Sequence, residues 1–113
     1  MDQQLWQIER HMWTGGIDAF HAHMSELCVM AFPEPIGLCF GRKVIDLVRQ
    51  APRWNDVEMS EQSTVSPARG VIVLAYRAEG RRGSDVYRAV CTSTYARRGN
   101  GWQIVQHQQT PLN

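Results

Sequence analysis

The segment from Asp85 to Asn113 constrains the fold most, because it has the pattern of two long strands joined by a tight turn at Asn100-Gly101. Asn-Gly is the most specific short hairpin signal, since both central residues of a type I′ turn need a positive φ. With this turn, odd-numbered positions of the first strand lie opposite even-numbered positions of the second. The segment therefore predicts an antiparallel hairpin with two distinct faces.

One face of the predicted hairpin carries the aromatic residues and the other the β-branched residues. The aromatic face consists of Tyr87, Ala89, Cys91, Ser93 and Tyr95 with Trp102, Ile104, Gln106 and Gln108. The β-branched face consists of Arg88, Val90, Thr92 and Thr94 with Gln103, Val105, His107 and Gln109. We predict that the aromatic face points toward the rest of the chain and the β-branched face away from it.

Apolar spacing predicts three helices and three further strands before the hairpin. The helices are expected at residues 2–13, 17–24 and 41–50, and the strands at 26–32, 54–65 and 71–78. A four-residue loop at residues 80–83 would set Tyr76 opposite Tyr87 and add Tyr76 to the aromatic face. Helices gathered before a run of antiparallel strands indicate an α+β fold, with the helices on one face of a curved sheet, in a single domain spanning residues 1–113.

Size, composition and charge narrow the class of protein. The chain has 113 residues, of which 43% are hydrophobic, as is usual for one soluble globular domain. Its net charge is +1 and its basic residues are dispersed, so no nucleic-acid partner is expected. The polar start MDQQLWQIER and the absence of an apolar run of roughly 20 residues predict neither a signal peptide nor a membrane span.

The cysteines point to a reducing compartment. Cys28, Cys39 and Cys91 form an odd set without close pairing or zinc-type spacing, so the sequence predicts no disulfide framework and no metal site. Reduced thiols favour a cytoplasmic location. No cofactor is expected.

Three short segments carry a resemblance to a known family. WTGG at Trp13–Gly16, VMAFP at Val29–Pro33 and GWQIVQHQQTPL at Gly101–Leu112, in this order of elements, resemble the nuclear transport factor 2-like superfamily over essentially the whole chain. The similarity is greatest to its polyketide-cyclase-like and uncharacterised bacterial members. The resemblance implies a cystatin-like α+β cone, in which a curved antiparallel sheet wraps around the N-terminal helices and leaves a pocket at its open end. It also implies a frequent homodimer through the outer sheet face.

The catalytic patterns of that superfamily do not transfer. Ketosteroid-isomerase-like members place a carboxylate base just before a proline of the first strand, where this chain has Phe32. Limonene-epoxide-hydrolase-like members use an Asp-Arg-Asp set, and the aromatic face predicted above contains no such residue. The sequence therefore predicts no catalytic residues and leaves enzymatic activity undecided.

A ligand pocket is nevertheless predicted on the aromatic face. An inward amide is costly unless it is paired or hydrated, so Gln106 and Gln108 would mark the point where the packed core gives way to a cavity. Ser93 lies nearly opposite with the same character. The predicted lining is Met30, Phe32, Tyr76, Tyr87, Ser93, Tyr95, Gln106 and Gln108.

A dimer interface is predicted on the β-branched face, which has few charges. A soluble monomer would expose there an apolar patch larger than such proteins usually tolerate. The predicted interface residues are Val73, Arg88, Val90, Thr92, Val105 and His107, and His107 is interpreted as an interface or surface residue rather than an acid or base. Two hypotheses stay open: a cone that binds a small, largely apolar molecule, with or without a weak isomerase, cyclase or hydrolase activity, or a non-catalytic homodimerisation or adaptor module.

Overall fold

The computed structural model of the chain describes residues 2–112, with side chains from residue 3 onward. The helices are α1 (Asp2–Thr14), α2 (Ile17–His23) and α3 (Arg42–Gln50). The strands are β1 (Met24–Phe32), β2 (Gly37–Phe40), β3 (Asp56–Ala68), β4 (Val71–Arg82), β5 (Asp85–Arg98) and β6 (Gly101–Pro111). The α+β class with a curved sheet is confirmed, and β2 is an additional short strand that the sequence did not predict.

The six strands form one sheet in the order β2-β1-β6-β5-β4-β3. Strands β3 to β6 form the predicted antiparallel meander, because short turns join consecutive strands. Strand β1 lies beside β6 and runs parallel to it, so the sheet is mixed. This pairing sets the first strand of the chain beside the last one and places Met30 next to His107.

The β4–β5 register differs from the prediction, although the faces do not. Arg82 pairs with Asp85, so the hairpin loop is two residues long, and Tyr76 lies opposite Cys91 rather than Tyr87. The two registers differ by four residues. Because side chains alternate with a period of two, an even shift leaves every residue on its predicted face. Ile72, Leu74 and Tyr76 are accordingly buried.

The β5–β6 register was predicted wrongly, and here the faces change. Arg98 pairs with Gly101, so the turn is Gly99-Asn100, and Gly99 adopts the positive φ. Near the turn Tyr95 pairs with Ile104, an odd position with an even one as predicted, but the next pair is Thr94 with Gln106. Val105 is therefore an extra residue on β6, a β-bulge, and beyond a bulge the alternation of faces is reversed.

The bulge exchanges the residues that β6 presents to the two sides of the sheet. Gln106 accepts a hydrogen bond from Thr94 Oγ1 at 2.9 Å, and Gln108 accepts one from Thr92 Oγ1 at 3.0 Å, so both amides lie on the outer face. His107 is buried on the inner face, next to Ser93. The predicted inward placement of Gln106 and Gln108, and the outward placement of His107, are therefore wrong.

The helices cover the inner face of the sheet and build two neighbouring clusters of buried side chains. One cluster joins α1, α2 and α3 to the middle of the sheet and includes Leu5, Phe20, Val44, Leu74 and Tyr95. The other lies under the end of α1, where Trp13 packs with Val57, Tyr76 and Cys91. Among residues 2–112, no helix has both the length and the apolar character needed to cross a membrane.

Candidate functional site

A cavity of about 340 Å³ opens between the inner face of the sheet, the end of α1 and α3. Its walls come from α1, α2, β1, the β1–β2 loop with Glu34, α3, the segment after α3, and strands β4, β5 and β6. Most of the lining is apolar, with Met12, Phe20, Met30, Phe32, Val48 and Ile104 among its residues. A concave site of this size and character suits a small, largely apolar molecule.

One corner of the cavity is polar. The polar corner consists of Tyr87, His107 and Gln109, which all line the cavity. The hydroxyl of Tyr87 donates to Gln109 Oε1 at 3.0 Å, and Gln109 Nε2 lies 3.1 Å from His107 Nε2. The imidazole ring is held between Phe32 and Trp13, whose ring centroids lie 6.0 and 6.5 Å from its own.

A buried carboxylate cluster lies beneath the polar corner. Glu9 of α1 is 1% exposed, and its side chain is surrounded by hydroxyl donors from the sheet. Ser93 donates to Oε2 at 2.6 Å, Tyr95 donates to Oε1 at 2.7 Å, and Tyr76 also donates to Oε2. The cluster, defined as Glu9, Tyr76, Ser93 and Tyr95, thus ties the first helix to strands β4 and β5.

Ser93 connects this cluster to the polar corner. Its Oγ lies 2.6 Å from Nδ1 of His107, while Nδ1 lies 3.4 Å from Oε2 of Glu9. Because an ionised carboxylate only accepts, the Ser93 hydroxyl proton points to Glu9, and Ser93 Oγ must accept from His107. Nδ1 therefore carries the proton of neutral His107, and the lone pair is at Nε2, where the amide of Gln109 donates to it.

The ionised state of Glu9 follows from its hydrogen bonds. Burial acts to raise the pKa of Glu9, but His107, Ser93 and Tyr76 together outweigh it, so the pKa lies below its ordinary value of 4.5. Burial, reinforced by the charge of Glu9, raises the pKa of both Tyr76 and Tyr95 well above the usual value. The two phenols therefore remain protonated donors to the carboxylate.

The buried thiol of Cys91, beside the cluster, is not activated as a nucleophile. Burial, and secondarily the charge of Glu9, raises the pKa of Cys91 to about 12. A thiol with so high a pKa is almost entirely protonated at neutral pH, and the thiolate is the reactive form. Cys91 is therefore a packing residue beside the cluster.

Two arginines border the cavity, but both are engaged with the protein. Arg53 donates to the backbone carbonyls of Gly15 at 2.7 Å and Trp13 at 3.1 Å, which caps the end of α1. Arg82 stacks over the Trp54 ring at 4.5 Å and lies 3.6 Å from Asp85. These contacts hold the walls of the cavity in place, and both guanidinium groups are already paired with protein groups.

The predicted ligand-pocket residues separate into three groups. Met30, Phe32 and Tyr87 line the cavity. Tyr76, Ser93 and Tyr95 are buried beneath it in the carboxylate cluster. Gln106 and Gln108 lie on the outer face for the reason given above.

Sequence reasoning missed Glu9, His107 and Gln109 as inner residues. Glu9 has a recognisable signal, because it occupies the inward stripe of α1 between Leu5 and Met12 at helical spacing. A carboxylate in such a stripe must be paired or hydrogen-bonded. His107 and Gln109 carry no comparable signal, since their orientation depends on the bulge at Val105.

The outer face holds most of the predicted interface residues. Val90 is 42% exposed, and Thr92 bonds Gln108 on this face. Val73 pairs with Val65, which is 59% exposed, and Arg88 forms an ion pair with Glu79 at 2.7 Å. His107 is not part of this surface. In the part of the chain that the structure describes, no group of three or more His, Cys, Asp or Glu residues could hold a metal ion.

Comparison with known proteins finds solved structures of similar fold, but no similar protein by sequence. No family model and no curated protein matches the chain. A protein of Parabacteroides distasonis, provisionally assigned as a ketosteroid isomerase, has a TM-score of 0.82 at 18% identity, covering 96% of this chain and 86% of that chain. A nuclear transport factor 2-like protein of Rhodospirillum rubrum, of unknown function in nutrient uptake, has a TM-score of 0.76 at 14% identity, covering 91% and 90%.

A third structural neighbour is described as a hub domain and not as an enzyme. The CaMKII hub homology domain of Chlamydomonas reinhardtii has a TM-score of 0.79 at 14% identity, covering 98% of this chain and 94% of that chain. At these identities the likeness concerns the fold. The chain has the nuclear transport factor 2-like fold, as the resemblance of its sequence motifs implied.

Proposed function

We propose that the protein binds a small, largely apolar molecule in the cavity, with a polar group of that molecule at the polar corner. The observation that carries the proposal is the combination of an apolar wall with one hydrogen-bonding corner that is backed by a buried, fully satisfied cluster. Few, fixed polar groups in an apolar cavity are typical of sites that orient a ligand. The likeness to a provisionally assigned ketosteroid isomerase is in keeping with a ligand of this class.

Methionine methyl groups provide a direct test of binding. Met12 and Met30 line the cavity, whereas Met59 lies on β3 outside it. With methyl-labelled methionine, titration of the bicyclic ketone 2-tetralone should shift the Met12 and Met30 signals and leave Met59 in place. Equal shifts at all three positions, or none at millimolar ketone, would contradict the proposal. Native mass spectrometry of the purified protein would show whether a cellular ligand is retained.

A matched pair of variants separates the cavity from non-specific binding. Ala51 lines the cavity directly after α3, and Ala22 is exposed on α2. Ala51→Trp should fill part of the cavity and weaken binding of the ketone about tenfold or more, because the indole competes for the same apolar surface. Ala22→Trp adds the same side chain at the surface and should leave binding unchanged.

A second proposal concerns association through the outer face of the sheet. Several large apolar side chains are exposed there, namely Leu38 and Phe40 on β2, Val65 on β3 and Val90 on β5. They lie on both edge strands and on the central strand β5, and exposed large apolar side chains on one sheet face favour an interaction surface. We infer an isologous homodimer that stacks sheet on sheet, and the likeness to a hub homology domain also supports association.

A further inference from the structure

Two histidines from the two N-terminal helices lie side by side, away from the cavity. His11 is in the last turn of α1, and His23 is the last residue of α2. Their ring centroids are 6.0 Å apart, and the ring planes are inclined at 71°. Neither residue lines the cavity between the helices and the sheet. The pair therefore joins the ends of α1 and α2 at a place that the proposed ligand site does not use.

Gly15 allows the two helices to approach at this point. A Cβ on Gly15 would lie 2.9 Å from Cδ2 of His11 and 2.9 Å from Cβ of Ala19. Ala19 precedes His23 by about one turn of α2, and residues four apart lie on the same face of a helix. The face of α2 that packs against Gly15 is thus the face that carries His23.

The nitrogens of both rings are available to a ligand. In the described part of the chain neither ring makes a hydrogen bond, unlike His107, whose two nitrogens both have partners. His11 is exposed and His23 is half-buried, so both can be reached from solvent. Burial, and secondarily the charge of His11, lowers the pKa of His23, so its imidazole is neutral at neutral pH.

We propose that His11 and His23 together bind a divalent transition-metal ion of the Zn²⁺ type, which bridges the ends of α1 and α2. Neutral imidazole is a preferred ligand of Zn²⁺, Ni²⁺ and Cu²⁺, whereas Mg²⁺ prefers oxygen ligands. Water completes the coordination shell. The pair is therefore a two-ligand site, distinct from the clusters of three or more protein ligands that the described residues lack.

The separation of the rings suits a shared ion. A Zn–N bond is about 2.0–2.1 Å long, so the ion lies roughly 3 Å from each ring centroid and the two centroids are at most about 6 Å apart. The observed 6.0 Å is at this limit. A tetrahedral angle at the ion needs the centroids about 1 Å closer, which rotation of the exposed His11 side chain provides, because the χ2 angle of histidine is broadly distributed.

The helix dipole alone does not account for the pair. A histidine in the last turn of a helix interacts favourably with the negative end of the dipole, and this applies to each residue separately. Placing the two rings against each other opposes that benefit, because two protonated imidazoles repel. A metal ion between them converts the repulsion into a bridge.

Zinc titration of the protein without a polyhistidine tag tests the proposal. Calorimetry at neutral pH should show one ion bound per chain. His11→Ala and His23→Ala should each weaken binding about tenfold or more, because the second Zn–N bond is then no longer formed within one preorganised site. His21→Ala is the matched control: it removes an exposed histidine of the same helix, two residues from His23, and should bind zinc as the wild type does.

Two further measurements do not depend on the variants alone. Zn²⁺ or Ni²⁺ should raise the Tm of the wild type and of His21→Ala, but not of the two paired variants, since an ion that binds the folded state stabilises it. Mg²⁺ should leave every Tm unchanged. In the wild type, Zn²⁺ should shift the imidazole nitrogen NMR signals of His11 and His23 and leave that of His21 in place.

Each contrary result would overturn the site. Wild-type zinc affinity in His11→Ala or His23→Ala would show that the ion binds elsewhere, for example at a thiol. An equal loss in His21→Ala would show that binding is not specific to the pair. If both paired variants only lower the metal-free Tm and the wild type does not respond to zinc, the histidines stabilise the helix ends and bind no metal. None of these results bears on ligand binding in the cavity.

Discussion

Nδ1 of His107 lies 3.4 Å from Oε2 of Glu9, and the Ser93 hydroxyl contacts both. The three residues come from α1, β5 and β6, so the last strand and the first helix meet at a single carboxylate. Because Glu9 is buried, its interactions are little screened by solvent. The contact couples the protonation of Glu9 to the stability of the fold and fixes the orientation of the histidine at the cavity wall.

The stability of the protein should fall in acid because of Glu9. The folded-state pKa of Glu9 is lowered, so its contribution is present above the unfolded-state value of 4.5 and is lost as the pH falls through the folded-state pKa. Glu9→Gln leaves a buried hydroxyl without its acceptor and should cost about 1–3 kcal/mol at pH 7. Urea unfolding should show this difference narrowing below pH 4.5.

Salt and a surface variant provide the controls for that experiment. Glu79 also has a lowered pKa, through its hydrogen bonds to Arg88 and Arg81, but it is near solvent and its contribution should be screened by salt. In 0.5 M salt the Debye length is about 4 Å, compared with about 10 Å at 0.1 M, so interactions between such surface charges are largely screened. The acid dependence due to Glu9 should survive there, and Glu58→Gln should resemble the wild type.

The β5–β6 turn can be tested with two alanine substitutions. Gly99 has a φ of 58°, which an alanine adopts at a cost of about 1–2 kcal/mol, so Gly99→Ala should lower the free energy of unfolding by that amount. Gly101 begins β6, and a Cβ there meets nothing within 4 Å, so Gly101→Ala should be nearly neutral. The reverse ranking in urea unfolding would favour the turn at Asn100-Gly101.

Gly80 allows two indoles to approach the sheet. A Cβ at this position would lie 3.1 Å from Trp54 Cδ2 and 3.3 Å from Trp13 Cζ3. Both indoles line the cavity, so Gly80→Ala should push them outward, destabilise the protein by about 1–3 kcal/mol and weaken binding of 2-tetralone. Unchanged tryptophan fluorescence and an unchanged unfolding midpoint would show that the indoles do not contact Gly80. Gly101→Ala is the matched control.

The proposed homodimer predicts a specific response to charge on the outer face. The double variant Val90→Arg, Thr92→Arg should be monomeric by light scattering at micromolar concentration, where the wild type is expected to be a dimer, because buried unpaired charges are costly. Gln4→Arg, Gln7→Arg adds the same charge to exposed positions of α1 and should remain dimeric. A monomeric wild type would exclude this interface.

His107 does not take part in the proposed homodimer interface. His107 is buried on the inner face, so its protonation cannot act directly on contacts made by Val90 or Thr92. Substitution of His107 by glutamine should therefore leave the association state unchanged while it alters the polar corner of the cavity. The two proposals can thus be tested independently.

The sequence alone determined the order of every described helix and strand except the short β2, and most of the inner face. Alternation along β4 and β5 is set by which residues gain from burial, so Leu74, Tyr76 and Tyr95 could be placed inward without knowledge of the register. The four-residue error in the β4–β5 register did no harm, because an even shift preserves the faces. Motif resemblance and helix periodicity were sufficient for the fold.

Only the tertiary structure decided which residues form the site. The bulge at Val105 is one extra residue, yet it reverses every later position of β6, moving His107 and Gln109 inward and Gln108 outward. Local sequence does not specify it, because polar residues occupy both faces at this end of the strand. Whether Glu9 meets His107 likewise depends on how α1 packs against the sheet, a contact between distant parts of the chain that no local pattern encodes.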